Sequence, residues 1–175
     1  MSTTIRTMNF DVIADLFQRL AEFAASVEPW QQFLVILLAG AVPFIESYLG
    51  SFLGVALGIE PAAAVVATAV VGNMISTFLL IALATRARTA ATRGRRSTKQ
   101  PVSARRQKVG RYAERLGVPG VSLLGPIILA SQITGPTLVA LGADKRSVYL
   151  FQGIAIIVWG VVFGFFGDLV ISWYL

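Results

Sequence analysis

FLVILLAGAVPFIESYLGSFLGVALG, residues 33–58, is a long apolar stretch with a proline and a carboxylate near its centre. A straight helix over residues 31–58 would be about 42 Å long, whereas the hydrocarbon core of a bilayer is about 30 Å thick. Pro43 removes a backbone donor and clashes with the preceding turn, so it favours a break. Two helical legs meeting near residues 40–46 would each reach about half-way across. The stretch therefore predicts a re-entrant helical hairpin.

The composition predicts an integral membrane protein. The chain has 175 residues, of which 55% are hydrophobic and only 14% charged, against roughly 25% charged in soluble domains. Four nearly uncharged runs each exceed the roughly 18 residues that mark a membrane-spanning candidate. These runs are 33–59, 61–85, 116–143 and 147–167. We expect an all-α, multi-pass protein of the bacterial inner membrane.

Several kinds of active site are excluded by residue types that the chain lacks. It has no cysteine and no histidine, which removes disulfides, thiolate or imidazole metal sites and histidine proton relays. It also shows no phosphate-binding loop and no nucleophile–base arrangement. We expect no catalytic residue, no metal and no cofactor, so the protein is not predicted to be an enzyme. Any proton chemistry is left to carboxylates, tyrosine or lysine.

The chain divides into four parts, and two of them are recognised by their charged residues. Residues 1–29 form an amphipathic N-terminal segment, with a helix that lies in the membrane interface or packs on the protein's own surface. Residues 88–114 form a basic linker, within a stretch holding eleven of the fifteen Lys and Arg residues. Such a stretch can bind nucleic acid. Between membrane segments it is better explained as a cytoplasmic loop obeying the positive-inside rule, and no nucleic-acid partner is expected.

The two remaining parts, 30–87 and 115–175, repeat one layout. VALGIE at 55–60 and VALGAD at 139–144 each follow a broken apolar segment and precede a long apolar one. The predicted hairpin breaks are at Pro43 in the first half, and at Pro126 and Pro136 in the second. If both broken segments are hairpins, the turn at Lys145 returns to the same face as the basic linker. Each half then crosses the membrane once, so the fold predicted is two inverted repeats, each a hairpin plus a transmembrane helix.

The polar residues near the breaks are the predicted substrate or proton path, because irregular backbone at membrane depth must face protein or a water-filled cavity. That path comprises Glu46, Ser47, Tyr48, Asn73, Ser131, Gln132 and Thr134. A carboxylate inside a membrane costs about 2.5–3.5 kcal/mol on insertion scales, so we expect Glu46 to exchange protons near neutral pH and to couple them to transport. The structural alternative is that a protonated Glu46 caps amides freed at the break. Asn73 and Gln152 can also serve in helix packing.

PFIESYLGSFLGVALG and GVPGVSLLGPIILASQITGPTLVALGADKRSVYLFQG resemble the small multidrug export protein family, over roughly residues 30–170. That family looks distantly similar to the DedA membrane protein superfamily. The resemblance implies paired re-entrant hairpins, each facing a spanning helix, with Glu46 as the acid of the first hairpin. DedA proteins are implicated in moving polyprenyl-phosphate or phospholipid and typically carry an arginine in the second hairpin. The matching stretch of this chain has no basic residue.

The expected function is membrane transport, by a proton-coupled secondary transporter that exports a small or amphipathic molecule. A lipid or polyprenyl-phosphate flippase or scramblase is the first alternative, and a non-transporting membrane scaffold is the second. We expect contact with membrane lipid. We also expect a homodimer, because so small a body shields two hairpins poorly from lipid.

Overall fold

The computed structural model describes residues 19, 22, 23, 26–92, 115–125 and 129–174. Within these residues the chain forms helices and turns and contains no strand, as the sequence predicts. Most of the predicted amphipathic segment 1–29 and all of 93–114 lie outside the described residues. The few residues described before Ser26 are helical and exposed.

The stretch 33–58 folds as two short helices. Helix α1 spans Pro29–Ala41, and helix α2 spans Glu46–Ala56. Helix α1 begins with a proline in its first turn and a reciprocal capping pair, in which the Glu28 amide donates to Gln31 Oε1 at 2.9 Å. Residues 42–45, which include Pro43, separate the two helices. The chain folds back there, which places Gly50 of α2 close to Gly40 of α1.

Two long helices follow the same kind of turn in each half. Helix α3 spans Ala62–Thr92, and helix α6 spans Lys145–Tyr174. Helix α3 thus continues five residues past the boundary predicted at 87. Glu60 accepts a hydrogen bond from the Ala62 amide at 3.0 Å, and Asp144 accepts one from the Ser147 amide at 2.8 Å. The acidic residues of VALGIE and VALGAD therefore cap the two long helices.

The second broken segment contains a helix over residues 115–125, here called α4, and helix α5 over Ser131–Leu141. The predicted break at Pro136 is wrong, because Pro136 lies inside α5. The preceding residue, Gly135, has no Cβ, which removes one of the clashes that disfavour helical backbone before a proline. The chain instead leaves helical geometry at Ala130, whose ψ is 144°. Pro126 lies outside the described residues.

The second short helix of each half packs along the long helix of the other half. Helices α3 and α6 run in opposite directions, since Val66 packs against Gly164 and Val70 against Gly160. Helix α2 lies along α6 in the same direction, with Ser47 beside Gly160. Helix α5 lies along α3 in the same direction. Gly135 of α5 contacts Ile81 of α3, and one turn further along α5 the Val139 carbonyl accepts a hydrogen bond from Arg88 of α3.

Glycines permit the closest helix contact in the first half. A Cβ added to Gly40 or to Gly72 would overlap a backbone carbonyl of the facing helix, at Ala69 and at Leu37 respectively. Small residues at such positions are what allow two helix backbones to approach. Helices α1 and α3 therefore meet backbone to backbone.

Helices α3 and α6 are long and apolar enough to cross a membrane, over Ala62–Ala90 and Lys145–Phe166. The distribution of polar and apolar side chains on these helices is the reverse of that in a soluble protein. Along α3 the exposed residues Val71, Ile75 and Leu79 are large and apolar, whereas Asn73 and Thr77 are fully buried. A pattern with polar side chains inside and apolar ones outside is typical of helices surrounded by lipid.

Candidate functional site

Glu46 opens helix α2 immediately after the break, in a strained backbone conformation. Its φ is 54°, and Phe44 two residues earlier has a φ of 72°. Non-glycine residues seldom adopt this left-handed region, which costs about 1–2 kcal/mol per residue. The turn that follows Pro43 therefore aims the Glu46 side chain inward, where it is only 1% exposed.

The Glu46 carboxylate contacts the start of α5. One carboxylate oxygen accepts a hydrogen bond from the Ser131 backbone N–H at 2.6 Å, and the other accepts one from Ser131 Oγ at 2.5 Å. Ser131 is the first residue of α5, so its N–H is one that the helix itself leaves without a partner. Glu46 thus caps a helix of the other half of the chain. This is the kind of contact that the structural alternative describes, although the amide that Glu46 caps lies at the break of the other half.

A network of uncharged side chains surrounds this contact. Ser47 Oγ donates to the Ile156 carbonyl at 2.8 Å and accepts from Asn73 Nδ2 at 3.4 Å. Asn73 Oδ1 accepts from Thr77 Oγ1 at 3.0 Å and from Gln132 Nε2 at 3.1 Å. Helices α2, α3, α5 and α6 therefore all supply groups to one buried polar cluster.

Two glutamine side chains in this region have atoms without partners. Gln152 is fully buried, yet neither its amide oxygen nor its amide nitrogen bonds to any described residue. Gln132 is 5% exposed, and its Oε1 is likewise unpaired within the described part of the chain. Gly135 brings the two together, since a Cβ there would lie 3.5 Å from Gln152 Cγ, and Gly135 is one helical turn from Gln132.

The structure does not bring every predicted residue into this cluster. The Tyr48 hydroxyl donates to the Phe44 carbonyl at 2.8 Å, and its ring packs edge-on against Phe163. Thr134 Oγ1 donates to the carbonyl of Ala130, the residue just before its own helix, at 3.1 Å. Tyr48 therefore braces the first break, and Thr134 supports the start of α5. The predicted site residues that do meet are Glu46, Ser47, Asn73, Ser131 and Gln132.

A separate cavity of about 390 Å³ opens where α3 ends and α6 begins. Its lining includes Thr85, Arg88, Asp144 and Lys145. Arg88 and Lys145 therefore lie at one end of the helix bundle, here called the Lys145 end. The opposite end, where α3 begins, is called the Ala62 end.

Sequence reasoning missed the unpaired state of Gln152 and the part played by Thr77. Gln152 is the only amide side chain in the run 147–167, which marks it as unusual, but a helical period cannot tell whether an amide has a partner. Thr77 follows Asn73 by four residues and so shares its helix face. That spacing was a usable signal for Thr77.

The chemistry available at the site is hydrogen bonding and proton exchange at a single carboxylate. Among the described residues, no group of three or more His, Cys, Asp or Glu side chains could hold a metal ion. Comparison of the chain with protein-family models, with curated proteins and with solved structures finds no match. The resemblance to the small multidrug export family therefore stays a prediction from the residues, and function must be argued from the site.

Proposed function

We propose that this protein is a membrane transporter in which proton binding at Glu46 controls the contact between two inverted halves. The observation that carries the proposal is the pair of hydrogen bonds from Ser131 to the Glu46 carboxylate. An ionised Glu46 accepts both bonds, and hydrogen bonds to a charged group are about twice as strong as neutral ones. Protonation would reverse the bond to Ser131 Oγ, which can also accept, and would make both bonds neutral. It would therefore weaken the contact between α2 and α5.

The membrane setting is supported by the two long apolar helices and by the inverted polarity of α3. On this proposal α3 and α6 each cross the bilayer. Helices α1 and α2 form one re-entrant hairpin, and α4 and α5 form the other. Helix α5 begins beside Glu46 and ends at the Lys145 end, since its Val139 carbonyl accepts from Arg88. Helix α2 begins at the same polar cluster and runs to the Ala62 end.

The inverted repeat is supported by matching details in the two halves. Each half has two short helices, a turn with a glycine at positive φ, and a long helix capped by the acid of that turn. Each second short helix packs along the long helix of the other half. Inverted repeats with broken helices that meet at the midplane are a recurrent design of secondary transporters.

A small or amphipathic cargo fits the site better than a phosphate-bearing lipid. The buried polar and charged side chains among the described residues are Glu46 and uncharged groups, with no Lys or Arg. A phosphate beside a buried carboxylate would meet like charge without a basic partner. The proposed setting is the bacterial inner membrane, with the Lys145 end and the basic linker on the cytoplasmic side.

The test is transport by purified protein in proteoliposomes under an imposed pH gradient. The probes are fluorescent amphipathic cations such as ethidium, compared between wild type, Glu46→Gln and protein-free vesicles. We expect gradient-driven dye movement with wild type and its loss in Glu46→Gln. Undiminished movement with Glu46→Gln would refute the role of Glu46. In parallel vesicles, NBD-labelled phospholipid that becomes accessible to dithionite only with protein would support lipid movement instead.

A further inference from the structure

The buried amides of Gln132 and Gln152 lie next to the proposed proton site but outside its hydrogen-bond network. Polar side-chain atoms buried in a protein almost always have a partner, and leaving one unpaired costs free energy comparable to a lost hydrogen bond. Three of the buried side-chain atoms without a partner among the described residues belong to this pair, namely Gln132 Oε1 and both amide atoms of Gln152. The two residues are connected by Gly135, which lies one turn after Gln132 and contacts Gln152.

The chemistry of these three atoms narrows what they bind. Two are acceptor oxygens and one is a donor nitrogen. A metal cation would satisfy the oxygens and leave the Gln152 amide nitrogen unpaired. Water donates to both oxygens and accepts from the nitrogen, and buried waters typically make about three hydrogen bonds to such groups. Water is thus the smallest ligand that can satisfy both kinds of atom.

The position of Gln152 connects this pair to Glu46. Gln152 lies one turn before Ile156 on α6, and the Ile156 carbonyl accepts from Ser47, the neighbour of Glu46. Gln132 directly follows Ser131, which donates both hydrogen bonds to Glu46. The side chains in this hydrogen-bond network around Glu46 are uncharged, and the ionisable Tyr48, two residues from Glu46, donates to the Phe44 carbonyl.

Towards the Lys145 end, an apolar layer separates the amides from the surface cavity. Ile81, Leu138 and Val148 are each at most 1% exposed and pack in one cluster. Ile81 and Val148 lie one turn beyond Thr77 and Gln152, respectively. One turn further, Thr85 and Lys145 line the cavity. Polar cluster, apolar layer and cavity therefore follow one another along α3 and α6.

We propose that Gln132 and Gln152 hold internal water that carries protons to Glu46 from the cavity at the Lys145 end, and that Ile81, Leu138 and Val148 form the gate of this path. A proton entering from the cavity moves along the water and binds the Glu46 oxygen that faces Ser131 Oγ. The acid O–H then donates to Ser131 Oγ, so a neutral hydrogen bond replaces the charged one. The inference rests on the proposed function and names the route by which its proton arrives.

Cysteine labelling tests the path without any transported substrate. The chain has no native cysteine, so Gln152→Cys places one thiol at the amide position. Ala155→Cys is the matched control, because Ala155 is on the same helix and is also fully buried. With the small reagent aminoethyl methanethiosulfonate in nanodiscs, we expect Gln152→Cys to react at least about tenfold faster, because thiols buried away from water are inert. Adding Ile81→Ala to Gln152→Cys should raise the rate further.

Equal rates for the two thiols, with no effect of Ile81→Ala, would overturn the inference. A second readout is the melting temperature of Gln152→Leu. If water satisfies the amide, the variant should melt at or below the wild-type temperature, whereas an amide without any partner would make Gln152→Leu more stable. Loss of dye transport in Glu46→Gln beside an unreactive Gln152→Cys would refute the water path and leave the proposed function intact. A reactive Gln152→Cys together with undiminished transport in Glu46→Gln would refute the proposed function and leave the water at Gln152 supported.

Discussion

The contact between Glu46 and Ser131 joins the two halves of the chain and allows a quantitative prediction. Ser131→Ala removes the Oγ hydrogen bond to the carboxylate while keeping the backbone N–H. A hydrogen bond to a charged group contributes about 1.5–3 kcal/mol, and a neutral one about 0.5–1.5 kcal/mol. We expect Ser131→Ala to lower the free energy of unfolding by about 1.5–3 kcal/mol in the wild-type background.

The same substitution should cost less after Glu46→Gln, because the remaining bond is neutral. The double-mutant cycle should therefore give a coupling of about 1–1.5 kcal/mol. For a chain of this size each kcal/mol corresponds to about 2–4 °C in melting temperature, so Ser131→Ala alone should lower it by about 3–12 °C. The assay is thermal unfolding of all four proteins in one detergent, followed by circular dichroism.

The matched control is Ser122→Ala. Ser122 is fully buried, and its Oγ has no hydrogen-bond partner among the described residues, so removing that oxygen should leave the melting temperature unchanged or raise it. Equal costs of Ser131→Ala in the wild-type and Glu46→Gln backgrounds would refute the charged contact. A cost no greater than that of Ser122→Ala would refute it as well.

Three further predictions concern packing, strain and assembly. Gly72→Ala should lower the free energy of unfolding by about 1–3 kcal/mol, because its Cβ would overlap the Leu37 carbonyl; Gly153→Ala, whose nearest contact would be 3.4 Å away, is the control and should change it little. At Phe44, with its φ of 72°, substitution to Gly should give a protein about 1–2 kcal/mol more stable than substitution to Val, and equal stabilities would contradict the strain. Light scattering of the protein in nanodiscs should give the mass of a homodimer, and a monomer mass there and in several detergents would refute it.

Local chemistry made part of the fold predictable. Pro43 lacks a backbone donor, and residues 42–45 separate two helices. The long uncharged runs 61–85 and 147–167 correspond to the two helices among the described residues that are long enough to span a membrane. The prediction of a break at Pro136 was wrong, because α5 continues through this position. Gly135, the preceding residue, has no Cβ to clash with the proline ring. A proline in an apolar run therefore does not by itself mark the end of a helix.

The site was predictable in its residue types and less so in its contacts. Polar residues in apolar runs identified Glu46, Asn73 and Gln132, because a buried polar group in such a run needs a partner. Which partner each finds depends on how α2 and α5 pack against the long helices of opposite halves. Tyr48 is two residues from Glu46, yet its hydroxyl donates to the Phe44 carbonyl. Closeness in sequence to Glu46 therefore did not decide the hydrogen-bond partner of Tyr48. The unpaired state of Gln152 arises from tertiary packing alone.

Each broken segment is expected to enter and leave the membrane on one side, and the labelling side of single cysteines tests this directly. Lys145→Cys would be labelled in sealed, oriented membrane vesicles with an impermeant maleimide. Ser103→Cys in the basic linker and Ala63→Cys at the exposed start of α3 serve as references for the two sides. We expect Lys145→Cys to be labelled from the same side as Ser103→Cys and from the side opposite Ala63→Cys. Labelling of Lys145→Cys together with Ala63→Cys would contradict it.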